Sequence, residues 1–243
     1  MPQERTNLAL VSWIICKIPQ VQLPSLPRWE EHLMDERQLK DKDMVFQRYR
    51  GIGLTERLQN ATWDKVRPDF KSQLLSCTSE WICDKSLIKG KGLGLAGNTG
   101  IGKSCAIACR MKGWALIGGE RLPDGSIAGY MDIRWIYWPD YSQALQDAQR
   151  DFDSNKRIYL TNTLKLTNIL VLDDLGRERC GADSFAVSIL DSVAQDRYEA
   201  SLPIFWTSNL DGNALIKFYG LPLVDRLNAI APMSEWRDGV SLR

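Results

Sequence analysis

A single histidine, His32, in a chain of 243 residues removes several chemistries at once. Ser-His and Cys-His nucleophiles and histidine metal centres lack their parts, since each needs an imidazole in the site. The six cysteines (16, 77, 83, 105, 109 and 180) form no C-x-x-C pair, and the step from Cys77 to Cys83 is not a zinc-knuckle spacing. Reduced thiols in a cytoplasmic protein are the expected state. No apolar run reaches membrane-spanning length, so no membrane association is expected. Leu8 to Cys16 has the apolar character of a signal-peptide core, but Lys17 and Pro19 follow and no small-residue cleavage site does, so a docked strand or helix is the better account. A charge of one sign is missing too. Residues 1–90 carry 14 Lys or Arg against 12 Asp or Glu, and residues 91–243 carry 17 against 18. Any nucleic-acid contact must therefore come from a local patch and not from the overall field.

What the chain does contain is Gly97-Asn98-Thr99-Gly100-Ile101-Gly102-Lys103-Ser104, which satisfies G-x-x-x-x-G-K-[ST]. Glycines let the backbone turn tightly and aim N–H groups at phosphate oxygens, with no Cβ in the way. Lys103 would neutralise the β- and γ-phosphates and the Ser104 hydroxyl would hold Mg²⁺. The context fits: 92–96 reads as a short buried strand, and Ser104 to Met111 reads as an apolar helix whose N-terminus faces the anion. Cys105 and Cys109 serve there as small core residues. Gly92, Gly94 and Gly97 also spell G-x-G-x-x-G, the dinucleotide fingerprint. Its first two glycines lie inside the apolar strand instead of opening a helix, so they read as a bend or a close backbone approach.

Around this loop the chain falls into zones. Residues 1–27 are an apolar start with a Pro-containing connector, and 28–50 are dense in charge, consistent with one or two exposed helices. The expected division is a partner-binding element over 1–50 and a nucleotide-binding domain over 51–243. Trp63, Phe70, Leu74, Leu75 and Trp81 would form the apolar face of a helix leading into the loop strand. Strand and helix signals then alternate, which argues for a parallel sheet covered by helices on both faces. Strands are expected at 134–138, 169–172 and 202–207, and helices from Pro139-Asp140, with Asp140 as N-cap, and over 184–198. Pro123 and Asp124-Gly125 mark a turn or hairpin over 121–130.

The apolar strand Ile169-Leu170-Val171-Leu172 ends in Asp173-Asp174, which puts two carboxylates at the carboxyl edge of the sheet beside the phosphate loop. Asp173 would coordinate Mg²⁺, and Asp174 would polarise the attacking water as general base. Asn209, after the apolar strand Ile204-Phe205-Trp206-Thr207, could stand between the γ-phosphate and that water. Arg226 lies on an amphipathic helix; it reads either as a surface or ion-paired arginine or as a finger reaching a neighbouring subunit's γ-phosphate. Trp135, Tyr137 and Trp138 cluster near Arg134, and bases can stack on such rings, but a strand alternates faces, so part of this set belongs to the core.

The order phosphate loop, Leu-Asp-Asp-Leu-Gly (172–176), Asp-Arg-Tyr (196–198), Thr-Ser-Asn-Leu (207–210), Asp-Arg-Leu (225–227) and Gly-Val-Ser-Leu-Arg (239–243) resembles the DnaC/IstB group of AAA+ ATPases. These are bacterial and phage replicative-helicase loaders and transposition helper ATPases. The likeness covers roughly 50–243, and Asn60-Ala61-Thr62-Trp63 is similar to a short segment these proteins carry upstream of the loop. It implies Asn209 as sensor 1, Arg226 as the trans-acting finger and Arg243 as a sensor-2-like arginine. Cys105 stands where the family often has His, 115–135 is unusual, and 1–48 match no pattern of the group.

The resemblance implies an α/β P-loop NTPase of the AAA+ class, with a small, mainly helical N-terminal element and little C-terminal lid. It implies an ATPase acting with Mg²⁺, a homo-oligomer when ATP is bound, and a role as a DNA-replication helicase loader. Residues 1–50 would grip a hexameric replicative helicase, and single-stranded DNA would lie along the assembly. The alternative is an IstB-type helper that coats duplex DNA and activates a transposase. The chain has no evident basic duplex-binding arm, which favours the loader. A stand-alone metabolic kinase shares the phosphate loop but would need an acceptor lid, and Asp173-Asp174 with Asn209 and Arg226 suits hydrolysis better.

Overall fold

The computed structural model describes residues 42–79, 82–84, 87–115, 120–121, 127–128, 132–179 and 184–236. Its centre is a sheet of five strands: β3 (Leu93–Gly97), β6 (Ile133–Tyr137), β7 (Ile169–Leu175), β8 (Ile204–Ser208) and β9 (Met233–Trp236). Their spatial order is β6-β7-β8-β3-β9, and every neighbouring pair is parallel. The inner strands β3, β7 and β8 are almost wholly buried, as the centre of a parallel sheet covered on both faces requires, while the edge strands β6 and β9 carry exposed polar residues.

Strand periodicity sorts these residues into two cores. Ile133 and Trp135 of β6, Ile169 and Val171 of β7, Phe205 of β8 and Leu93 and Leu95 of β3 face one cluster. That side is covered by α1 (Lys42–Gly51), α2 (Glu56–Gln59), α3 (Pro68–Ser79) and α4 (Lys103–Ala115), through Tyr49, Leu58, Phe70, Leu74, Ile107 and Met111. Ile136, Leu170, Leu172, Ile204 and Trp206 face the other cluster. There they meet α5 (Trp138–Arg150), α6 (Ser154–Leu166), α7 (Phe185–Ala200), α8 (Gly212–Tyr219) and α9 (Leu221–Ile230), through Leu145, Leu164, Leu190, Leu215 and Leu227. Each fully buried Leu or Ile contributes about 1.5–3 kcal/mol. Among the described residues, no helix is long and apolar enough to cross a membrane.

Gly92 and Gly94 owe their identity to close packing. A Cβ on Gly94 would lie 2.1 Å from the Trp206 ring, and one on Gly92 would lie 1.5 Å from the Ile204 carbonyl oxygen. The dinucleotide reading is thereby excluded by geometry as well as by pattern.

Several expectations need correction. The helix expected from Trp63 onward is two pieces, a 3₁₀ turn Trp63–Lys65 and α3, because Pro68 cannot continue a helix but suits its first turn. Instead of α3 leading directly into β3, an antiparallel hairpin of β1 (Ile82–Asp84) and β2 (Leu87–Lys89) intervenes. Trp138 opens α5 instead of closing β6. Tyr137 is the N-cap, Pro139 sits at the start of the helix and Asp140 lies in the first turn, favourable to the helix dipole but not capping it. Trp135 and Trp138 are core residues and only Tyr137 of that aromatic set is exposed. The 121–130 region does contain an antiparallel pair, β4 (Glu120–Arg121) with β5 (Ile127–Ala128). The described residues from Met44 onward belong to one compact unit, and Val45 and Tyr49 pack into its core. The N-terminal element expected over 1–50 lies outside the described residues as far as 41.

At the amino ends of β7 and β8 stands a completely buried arginine. Arg197 donates to the carbonyls of Leu164, Lys165 and Thr167 through Nη1, and to those of Asn168 and Pro203 through Nη2. Burial pulls the guanidinium down from its ordinary value. One planar fork thus ties the end of α6 to the starts of two adjacent strands.

Candidate nucleotide-binding site

The phosphate loop leaves β3 at Gly97 and reaches α4 at Lys103. Gly97 has φ +137°, and a Cβ there would lie 1.9 Å from the Trp236 carbonyl oxygen; Gly100 and Gly102 have φ +88° and +91°. Side chains at these positions would clash or strain the turn, so the loop needs its glycines. Ile101 is buried in the core and pins the loop from beneath, while Asn98 and Thr99 are exposed at its crest. The N–H groups of the first turn of α4, together with the loop amides, form an anion-binding concavity.

Side chains from three strands and their following turns converge here. Lys103 is buried, and its Nζ donates to the carbonyls of Gly97 (2.8 Å) and Asn98 (2.9 Å) and to Asn209 Oδ1 (3.0 Å). Ser104 Oγ donates to Asp173 Oδ1 at 2.7 Å. Thr207 Oγ1 donates to the same Asp173 oxygen at 2.7 Å and accepts the Asp174 N–H at 2.9 Å. Asn209 Nδ2 donates to Asp174 Oδ1 at 2.9 Å, and Arg177 Nη1 pairs with Asp174 Oδ2 at 3.0 Å. Both carboxylates fall inside β7, not beyond it. The ladder with β8 is irregular between Leu172 and Leu175, and Asp174 has φ +67°. That left-handed backbone turns the Asp174 side chain away from the strand's alternation.

The donor set fits magnesium and a triphosphate. Ser104 Oγ and Asp173 Oδ1 are hard oxygen donors, the kind a small divalent cation prefers, and are hydrogen-bonded to each other at 2.7 Å. Burial drives the Asp173 carboxyl up from its ordinary range, partly opposed by the hydrogen bonds from Thr207 and Ser104, while Asp174 adds to the rise and Arg57 lowers it. An anion kept in so dry a place is one that a cation would stabilise. The Lys103 ammonium, held at the loop mouth by carbonyls, is positioned for phosphate oxygens.

Lys103, Ser104, Asp173, Asp174 and Asn209 therefore form one connected group. Arg226 does not join it. On α9 it is ion-paired with Asp191 of α7, and both side chains are partly exposed. Asp191 also lines a shallow cavity of about 300 Å³ between α7 and the α8–α9 junction, and none of the residues lining that cavity comes from the phosphate loop. Arg243 lies outside the described residues. Thr207 and Arg177 join the site without a chemical signal in the sequence. A threonine inside an apolar strand reads as a β-former, and the turn after Asp-Asp-Leu-Gly gives no sign of pointing back.

No protein-family profile matches the chain. The replicative helicase loader DnaI of Bacillus subtilis (strain 168) is 28% identical over 127 residues, 52% of this chain and 36% of DnaI. The match therefore spans about a third of that relative's length. Among solved structures, a primosome component from Streptococcus pyogenes serotype M3 superposes with a TM-score of 0.55 at 19% identity, over 79% of this chain and 93% of that one. The DnaC helicase loader does so at 0.54 and 18% identity, over 74% and 99%. A DnaI structure gives 0.55 and 21% identity, over 76% and 95%. The chain shares its fold with the DnaC and DnaI helicase-loader structures. In the present sheet β8 separates β3 from β7, and the phosphate loop reaches the two-aspartate strand across that gap through Ser104 and Asp173.

Proposed function

We propose that the protein is an ATP-dependent helicase loader of DNA replication, which binds and hydrolyses ATP in an oligomer and delivers a replicative helicase to single-stranded DNA. The observation that carries this reading is the hydrogen-bonded group of Lys103, Ser104, Asp173, Asp174 and Asn209 at one edge of the AAA+ sheet. The loop amides over 97–104 and Lys103 bind and orient the phosphates. Ser104 and Asp173 would hold Mg²⁺, which would supply charge neutralisation on the phosphate oxygens. Asp174 takes a proton from the attacking water as the new O–P bond forms and the bond from the γ-phosphorus to the bridging oxygen breaks, releasing ADP and phosphate. Asn209 bridges Lys103 and Asp174 and so contacts both the phosphate-binding and the water-activating sides.

Arg226 lies outside this group and is ion-paired with Asp191; a role on a neighbouring subunit's nucleotide rests on the resemblance to DnaC-type ATPases. For single-stranded DNA, exposed rings are available at Phe152 and Tyr159, close in sequence to Lys156 and Arg157 at the start of α6. Of residues 1–50, those before Met44 remain our proposal for the helicase grip, since Val45 and Tyr49 pack into the nucleotide-binding unit.

The test compares wild type with Lys103→Ala and Arg226→Ala. Wild-type ATPase activity per subunit should rise with protein concentration, and both variants should lose that rise, Arg226→Ala while still binding ATP. Deleting residues 1–43, which leaves the compact unit from Met44 onward whole, should abolish capture of a replicative helicase. An Arg226→Ala protein that hydrolyses normally as a monomer would overturn the shared site. ATP-dependent coating of duplex DNA without helicase capture would replace the loader with the transposition helper.

A further inference from the structure

The turn after β7 is built more firmly than a connecting loop requires. Glu178 is buried, and its Oε1 accepts from Trp138 Nε1 at 2.9 Å and from the Tyr219 hydroxyl. Its Oε2 accepts the Gly176 N–H at 2.9 Å, and that N–H also reaches the Tyr219 oxygen at 2.8 Å. Three elements are therefore joined through one carboxylate: the first residue of α5, the last residue of α8 and the end of the strand that carries Asp173 and Asp174. Gly176 has φ +83°, and a Cβ there would lie 2.4 Å from Leu210, so the turn has little room to shift. Arg177, between Gly176 and Glu178, points outward from this anchored turn. Its side chain is 66% exposed, yet its guanidinium folds back to Asp174 Oδ2 at 3.0 Å. Asn209 holds the other oxygen, and Thr207 holds the Asp174 N–H in its left-handed conformation.

We propose that Arg177 is a positioning residue for Asp174: the Glu178 anchor fixes the turn so that Arg177 and Asn209 clamp the two carboxylate oxygens and fix the plane of the group that receives the water proton. This rests on Asp174 being the base, as proposed above. With one clamp removed, the carboxylate is free to rotate about its terminal torsion, which has only a broad preference of its own. The proton acceptor then spends less time in line with the water, and the chemical step slows without a change in ATP binding.

The experiment measures kcat and KM for ATP with the full-length protein at one fixed concentration. Arg177→Ala should lower kcat about fivefold, the scale of a partly exposed ion pair, with KM within about twofold of wild type. Arg177→Lys should restore kcat to within about twofold, since an ammonium can still reach the oxygen. Thermal stability should be unchanged to about 2 °C, because the side chain is exposed. An unchanged or raised kcat in Arg177→Ala, or a parallel rise in KM, would overturn the inference. Asp174→Asn, run alongside, tests the reading beneath it: kcat near wild type in that variant would remove Asp174 as base, whatever Arg177 does.

Discussion

The two ends of β7 and β8 carry polar networks of opposite design. At the amino ends, Arg197 is one charge whose hydrogen bonds all go to backbone carbonyls, those of Leu164, Lys165, Thr167, Asn168 and Pro203. At the carboxyl ends, Ser104, Thr207, Asp173, Asp174, Asn209 and Lys103 bond mainly side chain to side chain. Backbone acceptors cannot leave without breaking a strand or helix, so the first network holds the fold together. Side-chain partners can rotate toward a phosphate or a cation, so the second can exchange partners when a ligand arrives. The buried network at one end serves stability, and the more open one at the other is, in our proposal, free to take a nucleotide.

Arg197→Met should break the amino-end network with the largest effect. It removes the donor and leaves buried carbonyls without one, which should cost about 3–5 kcal/mol of unfolding free energy. The midpoint of urea denaturation measures this; a loss below about 1 kcal/mol would mean that the carbonyls find other donors and that the two ends do not differ.

Thr207→Val tests the carboxyl end with a side chain of the same shape. The Asp174 N–H loses its acceptor and Asp173 loses a donor, for a cost of about 1–3 kcal/mol. Thr207→Ser should recover most of it. Calorimetric melting of the two variants decides, and a Val variant as stable as wild type would show that Asp174 does not depend on Thr207 for its backbone conformation.

Asp173→Asn sharpens the comparison by having the opposite sign. Burial raises the Asp173 carboxyl in the fold, so between its unfolded and folded values the native state holds more protons than the unfolded chain. Stability therefore falls as pH rises through that window, and the full cost is present at pH 7. The amide escapes this cost while keeping an oxygen to accept from Ser104 and Thr207. The variant, without nucleotide, should melt higher than wild type at pH 7, by about 2–4 °C for each kcal/mol released, and the gain should vanish below about pH 4. An Asn variant less stable at pH 7 would show that the hydrogen bonds outweigh the burial of the charge.

Much of the site is legible in the chain because its signals are local. The glycines and Lys103-Ser104 fall within eight consecutive positions, and Asp173-Asp174 close an apolar run whose burial and chain order place them beside that loop. The strand pattern 169–172 is too short, since β7 continues through both aspartates to Leu175. Arg197 stands in the sequence only as the middle of Asp-Arg-Tyr, and nothing nearby announces that its acceptors lie about thirty residues earlier, at 164–168, and at 203. Glu178 is equally silent, because its partners Trp138 and Tyr219 are forty or more residues away in either direction. Trp138 reads as a strand end because apolar residues at a strand–helix junction satisfy either period.

The order of residues alone determined the class of fold, the phosphate loop and the pair of carboxylates, since each depends on neighbours within a few positions. Tertiary packing alone decided that Arg177 turns back onto Asp174, that Arg197 is buried instead of exposed, and that Arg226 stands apart from the phosphate loop. Those outcomes depend on which carbonyls, carboxylates and helix ends meet across the sheet. Such meetings are set by the three-dimensional closure of the chain, and no local pattern encodes them.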